Sequence, residues 1–168
     1  MLVLGVDPGL TGAIALLCSQ RGLLECADLP TCDNGNATGS MKRWIDVNAL
    51  QAMLANWSIK HDFASQAVEA CIERPIPMPT LPAQTVASQF DTFGVIRAIV
   101  GGRVSLKAMT IVNPQIWKKL FGLKADKEAS IACALRLYPK AAKLLARKKD
   151  HNRAESILLG HFLITELA

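Results

Sequence analysis

The chain has 168 residues, 51% hydrophobic and 20% charged, a balance that fills one ordinary core and excludes wholesale disorder. Its net charge of +5 is unevenly placed: residues 1–73 carry 4 Lys/Arg against 8 Asp/Glu, giving −4, and residues 74–168 carry 15 against 6, giving +9. A basic half of this kind suits a polyanionic partner, most simply nucleic acid, and no helix shows the basic amphipathic stripe that a membrane surface favours.

Leu2 to Asp7 is a short apolar strand ended by the turn pair Pro8-Gly9. It lacks the basic opening of a secretory signal, and no apolar run approaches the ~18–20 residues of a membrane helix, so a cytosolic location is expected. Strands Gly12 to Ser19 and Gly22 to Leu29 follow so closely that the three must form antiparallel hairpins. Pro30 to Ser40, with Asp33-Asn34-Gly35-Asn36, reads as a flexible loop. Asp46 can cap a helix whose apolar positions Leu50, Met53, Leu54 and Trp57 recur at helical spacing. A fourth strand, Ala67 to Glu73, stops at the proline-rich stretch Arg74 to Pro82. A long helix from Ala83 to Val100, a fifth strand from Val104 to Val112, and helices Pro114 to Phe121, Asp126 to Leu137 and Asn152 to Leu167 complete the order. The five cysteines form no C-x-x-C pair, which argues against a disulfide framework or a zinc site.

Three antiparallel strands joined by helical crossovers to two parallel ones make a mixed five-stranded sheet flanked by helices, the ribonuclease H-like layout of an α/β fold, read here as a single domain over residues 1–168. In that layout the first and fourth strands are parallel neighbours ~4.8 Å apart, so Asp7 and Glu73 at their ends can aim at one point. Glu69 shares a face with Glu73, but Glu73 stands at the strand's end, where loops open a site. The segment Lys148-Lys149-Asp150-His151-Asn152-Arg153-Ala154-Glu155 adds further acids at the start of the last helix. Glu155 shares a helical face with His151 and Asn152, and Asp150 joins them if its side chain swings inward from the cap. Clustered carboxylates repel, so the group implies divalent cations, and all-oxygen ligands select Mg²⁺ or Mn²⁺. A pair of such ions suits hydrolysis of a phosphodiester.

The residues resemble a family. Gly5-Val6-Asp7-Pro8-Gly9-Leu10-Thr11-Gly12, Cys71-Ile72-Glu73, Val112-Asn113-Pro114-Gln115-Ile116-Trp117-Lys118-Lys119, Lys124-Ala125-Asp126-Lys127-Glu128 and Arg153-Ala154-Glu155 are similar, in order, to the motifs of RuvC-type Holliday junction resolvases, particularly short phage-like members. The resemblance implies a homodimeric, Mg²⁺-dependent endonuclease that cuts four-way DNA junctions in the cytoplasm of a bacterial or phage-infected cell. It implies Asp7, Glu73 and Glu155 as metal-binding catalytic residues, with Lys118 and Lys127 near the cleaved DNA. Lys119, Lys148, Lys149 and Arg153 are expected as further DNA contacts.

Two positions depart from the family pattern. Asn152 stands where an acidic residue often precedes the last carboxylate, so Asp150, with His151 as the other option, is expected to complete the metal site. After Glu73 the sequence has Ile76 and Met78 among prolines, where the family carries an aromatic that stacks near the crossover. The long helix offers a dimer surface through Val86, Phe90, Phe93, Arg97 and Val100, unless that stripe packs on the sheet instead. Rival readings are a less selective nuclease of the same fold, a non-catalytic junction-binding scaffold, and an actin- or sugar-kinase-type ATP-handling domain. The last shares the Asp7-Pro8-Gly9-Leu10-Thr11 pattern but needs a later glycine-rich adenosine motif that this sequence lacks.

Overall fold

A computed structural model describes residues 1–35, 43–104, 108–123 and 127–168, the Lys127 side chain excepted. With strands numbered in chain order, β1 (Leu2–Asp7), β2 (Ala13–Cys18), β3 (Gly22–Asp28), β6 (Val68–Glu73) and β7 (Met109–Val112) form one sheet in the order β3-β2-β1-β6-β7. β1 runs antiparallel to β2, from Leu2 opposite Cys18 to Asp7 opposite Ala13, and parallel to β6, from Leu2 beside Val68 to Val6 beside Ile72. β6 and β7 are also parallel. The fold class is the ribonuclease H-like one the element order predicts.

Alternation along the strands divides the core in two. Leu2, Leu4, Val6, Ile14, Leu16 and Ile72 face helices α1 (Val47–Lys60) and α2 (Ala83–Gly101), which contribute Leu50, Leu54, Trp57, Phe93, Ile96 and Val100. Val3, Ala15, Leu17 and Cys71 face the other way, onto α3 (Pro114–Leu120), α4 (Lys127–Leu137) and α5 (His151–Glu166) through Trp117, Ala134, Ile157 and Leu158. β1 is buried on both faces, as a central parallel strand must be, and its sequence is accordingly apolar until Asp7. Asp46 caps α1 as its position suggests, accepting from the Ala49 amide at 2.9 Å. Among the described residues no helix is long and apolar enough to cross a membrane.

Three expectations change. The stretch read as loop contains a strand, β4 (Thr31–Asp33), which pairs antiparallel with β5 (Arg43–Ile45) in a separate hairpin; residues 36–42 between them lie outside the described set. Short strands rich in turn-forming residues carry no alternation long enough to read. The fifth sheet strand begins at Met109 rather than Val104, because the Val104 amide still bonds to the Val100 carbonyl at the end of α2; residues 105–107 are outside the described set. The apolar stripe of α2 splits, with Phe93 and Val100 in the core while Phe90 and Arg97 stay exposed, Arg97 lying 5.7 Å from the centre of the Phe93 ring.

Helix α5 lies against the centre of the sheet because both sides of the contact are glycine. A Cβ on Gly5 would overlap the Ser156 carbonyl oxygen and the Gly160 backbone, whereas one on Gly160 would meet only the end of the Leu17 side chain. Backbone cannot yield as a side chain can. Gly5→Ala should therefore destabilise by ~1–3 kcal/mol or more, and Gly160→Ala by less, in urea unfolding. Equal costs for the two would refute this account of the helix position.

Candidate metal centre

The close seat of α5 brings its first turns over the ends of β1 and β6. Asp7 and Glu73 end adjacent parallel strands and project from the same face as Val3, Gly5 and Cys71, the face α5 covers. Glu155, one turn into α5, reaches the same point. One carboxylate oxygen from each of Asp7, Glu73 and Glu155 lies within 4.8 Å of the others. Among the described residues these are the His, Cys, Asp and Glu side chains that meet this way.

The surroundings fix Glu73 and Glu155. The fully buried Trp117 donates its indole N–H to Glu73 Oε2 at 2.6 Å. Ser130 Oγ donates to Glu155 Oε1 at 3.1 Å, and Lys118 Nζ stands 3.2 Å from the same oxygen while lying 5.0 Å from the centre of the Trp117 ring. Burial pushes the Glu73 carboxyl above its ordinary range, and the charge of Glu155 pushes the same way; the Trp117 N–H and the Lys118 ammonium oppose them without cancelling the rise. Converging carboxylates repel, a divalent cation between them would relieve that repulsion, and the all-oxygen donor set fits Mg²⁺ or Mn²⁺.

Asp150 is not brought to this point. It is buried, 3% exposed, and its carboxylate folds back on its own turn: Arg147 Nη2 donates to Oδ1 at 2.7 Å and the Arg147 amide to Oδ2 at 2.8 Å. Asp150 ends the 3-10 turn before α5, and its carboxylate closes that turn on Arg147 instead of reaching along the helix to Glu155. His151 does not join the cluster either; its Nδ1 lies 3.4 Å from the Lys148 carbonyl oxygen. Asn152 does share the Glu155 face, but its amide donates to the Thr11 carbonyl oxygen, tying α5 to the β1–β2 turn. Glu69 is half-buried beside Val3, away from the strand end.

The expected DNA contacts also separate. Lys118 is at the centre, and Lys119 and Lys149 are exposed. Lys148 is exposed but paired with Glu128 at 2.6 Å. The side chain of Lys127 and residues 124–126 of its motif lie outside the described set. Arg153 is corrected from a DNA contact to a structural one, because Nε and Nη2 clasp both oxygens of Asp28 at 2.6 and 2.7 Å and Nη1 reaches the Leu144 carbonyl at 3.2 Å. Trp117 and Ser130 are the residues sequence reasoning missed. The Trp beside Lys118 was visible as part of a motif, but nothing in Ser130's neighbourhood marks it.

Solved structures then locate the fold. Over 100% of this chain and 96% of the other, it superposes on "T. thermophilus RuvC in complex with Holliday junction substrate" with a TM-score of 0.63 at 17% identity. The fold is that of RuvC. A second match, "Thermus thermophilus RuvC structure", gives a TM-score of 0.54 at 14% identity, covering 99% of this chain and 96% of that one. No protein-family model and no curated protein matches the sequence.

Two measurements check the site. Mg²⁺ or Mn²⁺ should raise the melting temperature, equivalent to about 2.7 kcal/mol at a hundredfold excess over Kd, and Asp7→Asn or Glu155→Gln should remove that rise. A rise of equal size in Asp7→Asn would place the ion elsewhere. The Asp150 carboxyl is held below its usual range, chiefly by the hydrogen bonds from Arg147, so its contribution to stability is present above pH ~4 and is lost as pH falls through the lowered value. Asp150→Asn should lower the melting temperature by a few degrees near neutrality and flatten its acid limb while leaving the Mg²⁺ response intact; loss of that response would return Asp150 to the ligand set.

Proposed function

We propose that this chain is a metal-dependent endonuclease that resolves four-way DNA junctions, acting as a single RuvC-like nuclease domain in a homodimer. The observation that carries the reading is the convergence of Asp7, Glu73 and Glu155 within 4.8 Å on the fold of RuvC. One matched structure is described as a complex with a Holliday junction, which supports branched DNA as the substrate. The exposed first half of α2, including Phe90, is the surface we assign to the partner copy.

Asp7, Glu73 and Glu155 would hold the divalent ions. Bound there, a divalent ion would supply charge neutralisation at the phosphate and a more acidic water for in-line attack. The protein's own groups then have distinct tasks. Trp117 keeps one oxygen of Glu73 turned into the site, and Ser130 does the same for Glu155, so the acids meet the ions without reorganising. Lys118 sits where its ammonium can pass from Glu155 to charge growing on the phosphate oxygens. Ile76 and Met78, 42% and 55% exposed just beyond Glu73, are apolar groups suited to pressing on unpaired bases at the crossover.

The test is cleavage of a synthetic mobile four-way junction in Mg²⁺, Mn²⁺ or chelator, with cuts mapped on all four strands. The expected result is metal-dependent, paired, symmetric cuts. Asp7→Asn should abolish them while retaining junction binding, and Lys118→Met should slow them ~100-fold. Equal cutting of linear duplex would leave a less selective nuclease of this fold, and full activity in Asp7→Asn would remove the carboxylates from the mechanism.

A further inference from the structure

Two concavities flank the β1–β2 turn. One, about 580 Å³, begins at Asp7 and passes between the turn and a polar face of α2 formed by Gln84, Ser88 and Thr92. The other, about 420 Å³, lies on the far side of the turn and ends at Arg147, Lys149 and His151. Leu10, Thr11, Gly12, Arg43 and Asn152 line both, so the two are halves of one groove with Arg43 at its waist.

The floor of this groove is firmly built. Asn152 holds Thr11 from α5, and the Gly12 amide bonds to the Gly9 carbonyl at 3.0 Å in a turn so tight that a Cβ on Gly12 would overlap the Asp7 carbonyl oxygen. Arg43 arrives from β5, the hairpin that no periodicity announced, and is exposed, with Asp33 as its cross-strand neighbour. Charge changes sign along the groove. Asp7 stands at one end; beyond it, toward the other end, stand Arg43, Arg147 and Lys149, all exposed. The two acids at that end are already paired, Asp150 with Arg147 and Asp28 with Arg153. Arg147 has five N–H donors and remains 53% exposed, so Asp150 fixes it in place and leaves an edge for another anion.

Resting on the nuclease reading above, we infer that the DNA strand cut at Asp7, Glu73 and Glu155 continues through this groove, its backbone phosphates taken first by Arg43 and then by Lys149 and the outer edge of Arg147. A channel that starts at Asp7 and turns basic beyond the β1–β2 turn matches a chain of phosphates that meets the metal site at one point and fixed positive side chains beyond it. The contacts are to backbone, so they set the register of the strand and read no sequence.

The test uses the full-length chain and the double variant Arg43→Gln/Lys149→Gln, with folding checked by circular dichroism, on a four-way junction in Ca²⁺ or chelator. Junction affinity should fall about tenfold or more at physiological salt, and the slope of log K against log salt should shrink by about 1–2, near one for each phosphate no longer neutralised. Arg43→Lys should keep the slope. Ethylation interference should show a run of sensitive phosphates on one side of the cut position in the wild type, several of which lose sensitivity in the double variant. An unchanged slope, or the same interference pattern in both proteins, would overturn the assignment. Binding needs no cleavage, so a wild type that binds but never cuts sinks the nuclease reading alone, and the path of the strand is still decided by slope and interference.

Discussion

Three carboxylates held within 4.8 Å of one another repel, and the rest of this molecule is arranged to keep them there. Strand register sets two of them: β1 and β6 are parallel neighbours, so their acidic ends face the same side at the same height. The third depends on α5 lying close over the sheet, which glycine at both Gly5 and Gly160 permits. Remove any of these and the acids part, with the repulsion relieved and the site gone. Such frustration is costly to an empty protein and useful to one whose ligand is positively charged.

The layer around the acids orients them, and Lys118 offsets part of their charge. Trp117 is buried to the last atom, yet its N–H is turned to Glu73, so an apolar anchor for α3 also fixes an oxygen. Ser130 performs the same task from α4. Lys118 is the one cation directly at the cluster among the described ion pairs, and it pairs with Glu155 rather than Glu73. Burial, with the charge of Glu155 beside it, raises the pKa of the Glu73 carboxyl. On the opposite flank, Arg147 with Asp150 and Arg153 with Asp28 lock the approach to α5, using ion pairs where the sequence alone suggested ligands and DNA contacts.

Much of this was legible in advance at the level of chain order. An apolar run ending in Asp7, a second ending in Glu73 before a wall of prolines, and an acidic helix start near the end of the sequence imply the sheet and its meeting point. Less legible was the helix start itself. Asp150, His151 and Glu155 crowd a short segment, and which of them turns inward depends on where α5 begins and how it is rotated. The β4–β5 hairpin was hidden for a related reason: strands of three residues carry too little alternation to separate them from loop.

By itself the sequence determined the order of the main-sheet strands and the α-helices, the strand-end positions of Asp7 and Glu73, and the gathering of positive charge in the second half, because strand and helix periodicity and net charge are properties of near neighbours. Tertiary structure alone decided that Glu155 rather than Asp150 meets them, that Arg153 is occupied by Asp28, that Trp117 and Ser130 hold the acids, and that Arg43 reaches the groove beside Asp7. Those outcomes rest on helix rotation and on distances between residues as far apart as Thr11 and Asn152, which packing sets and no local pattern records.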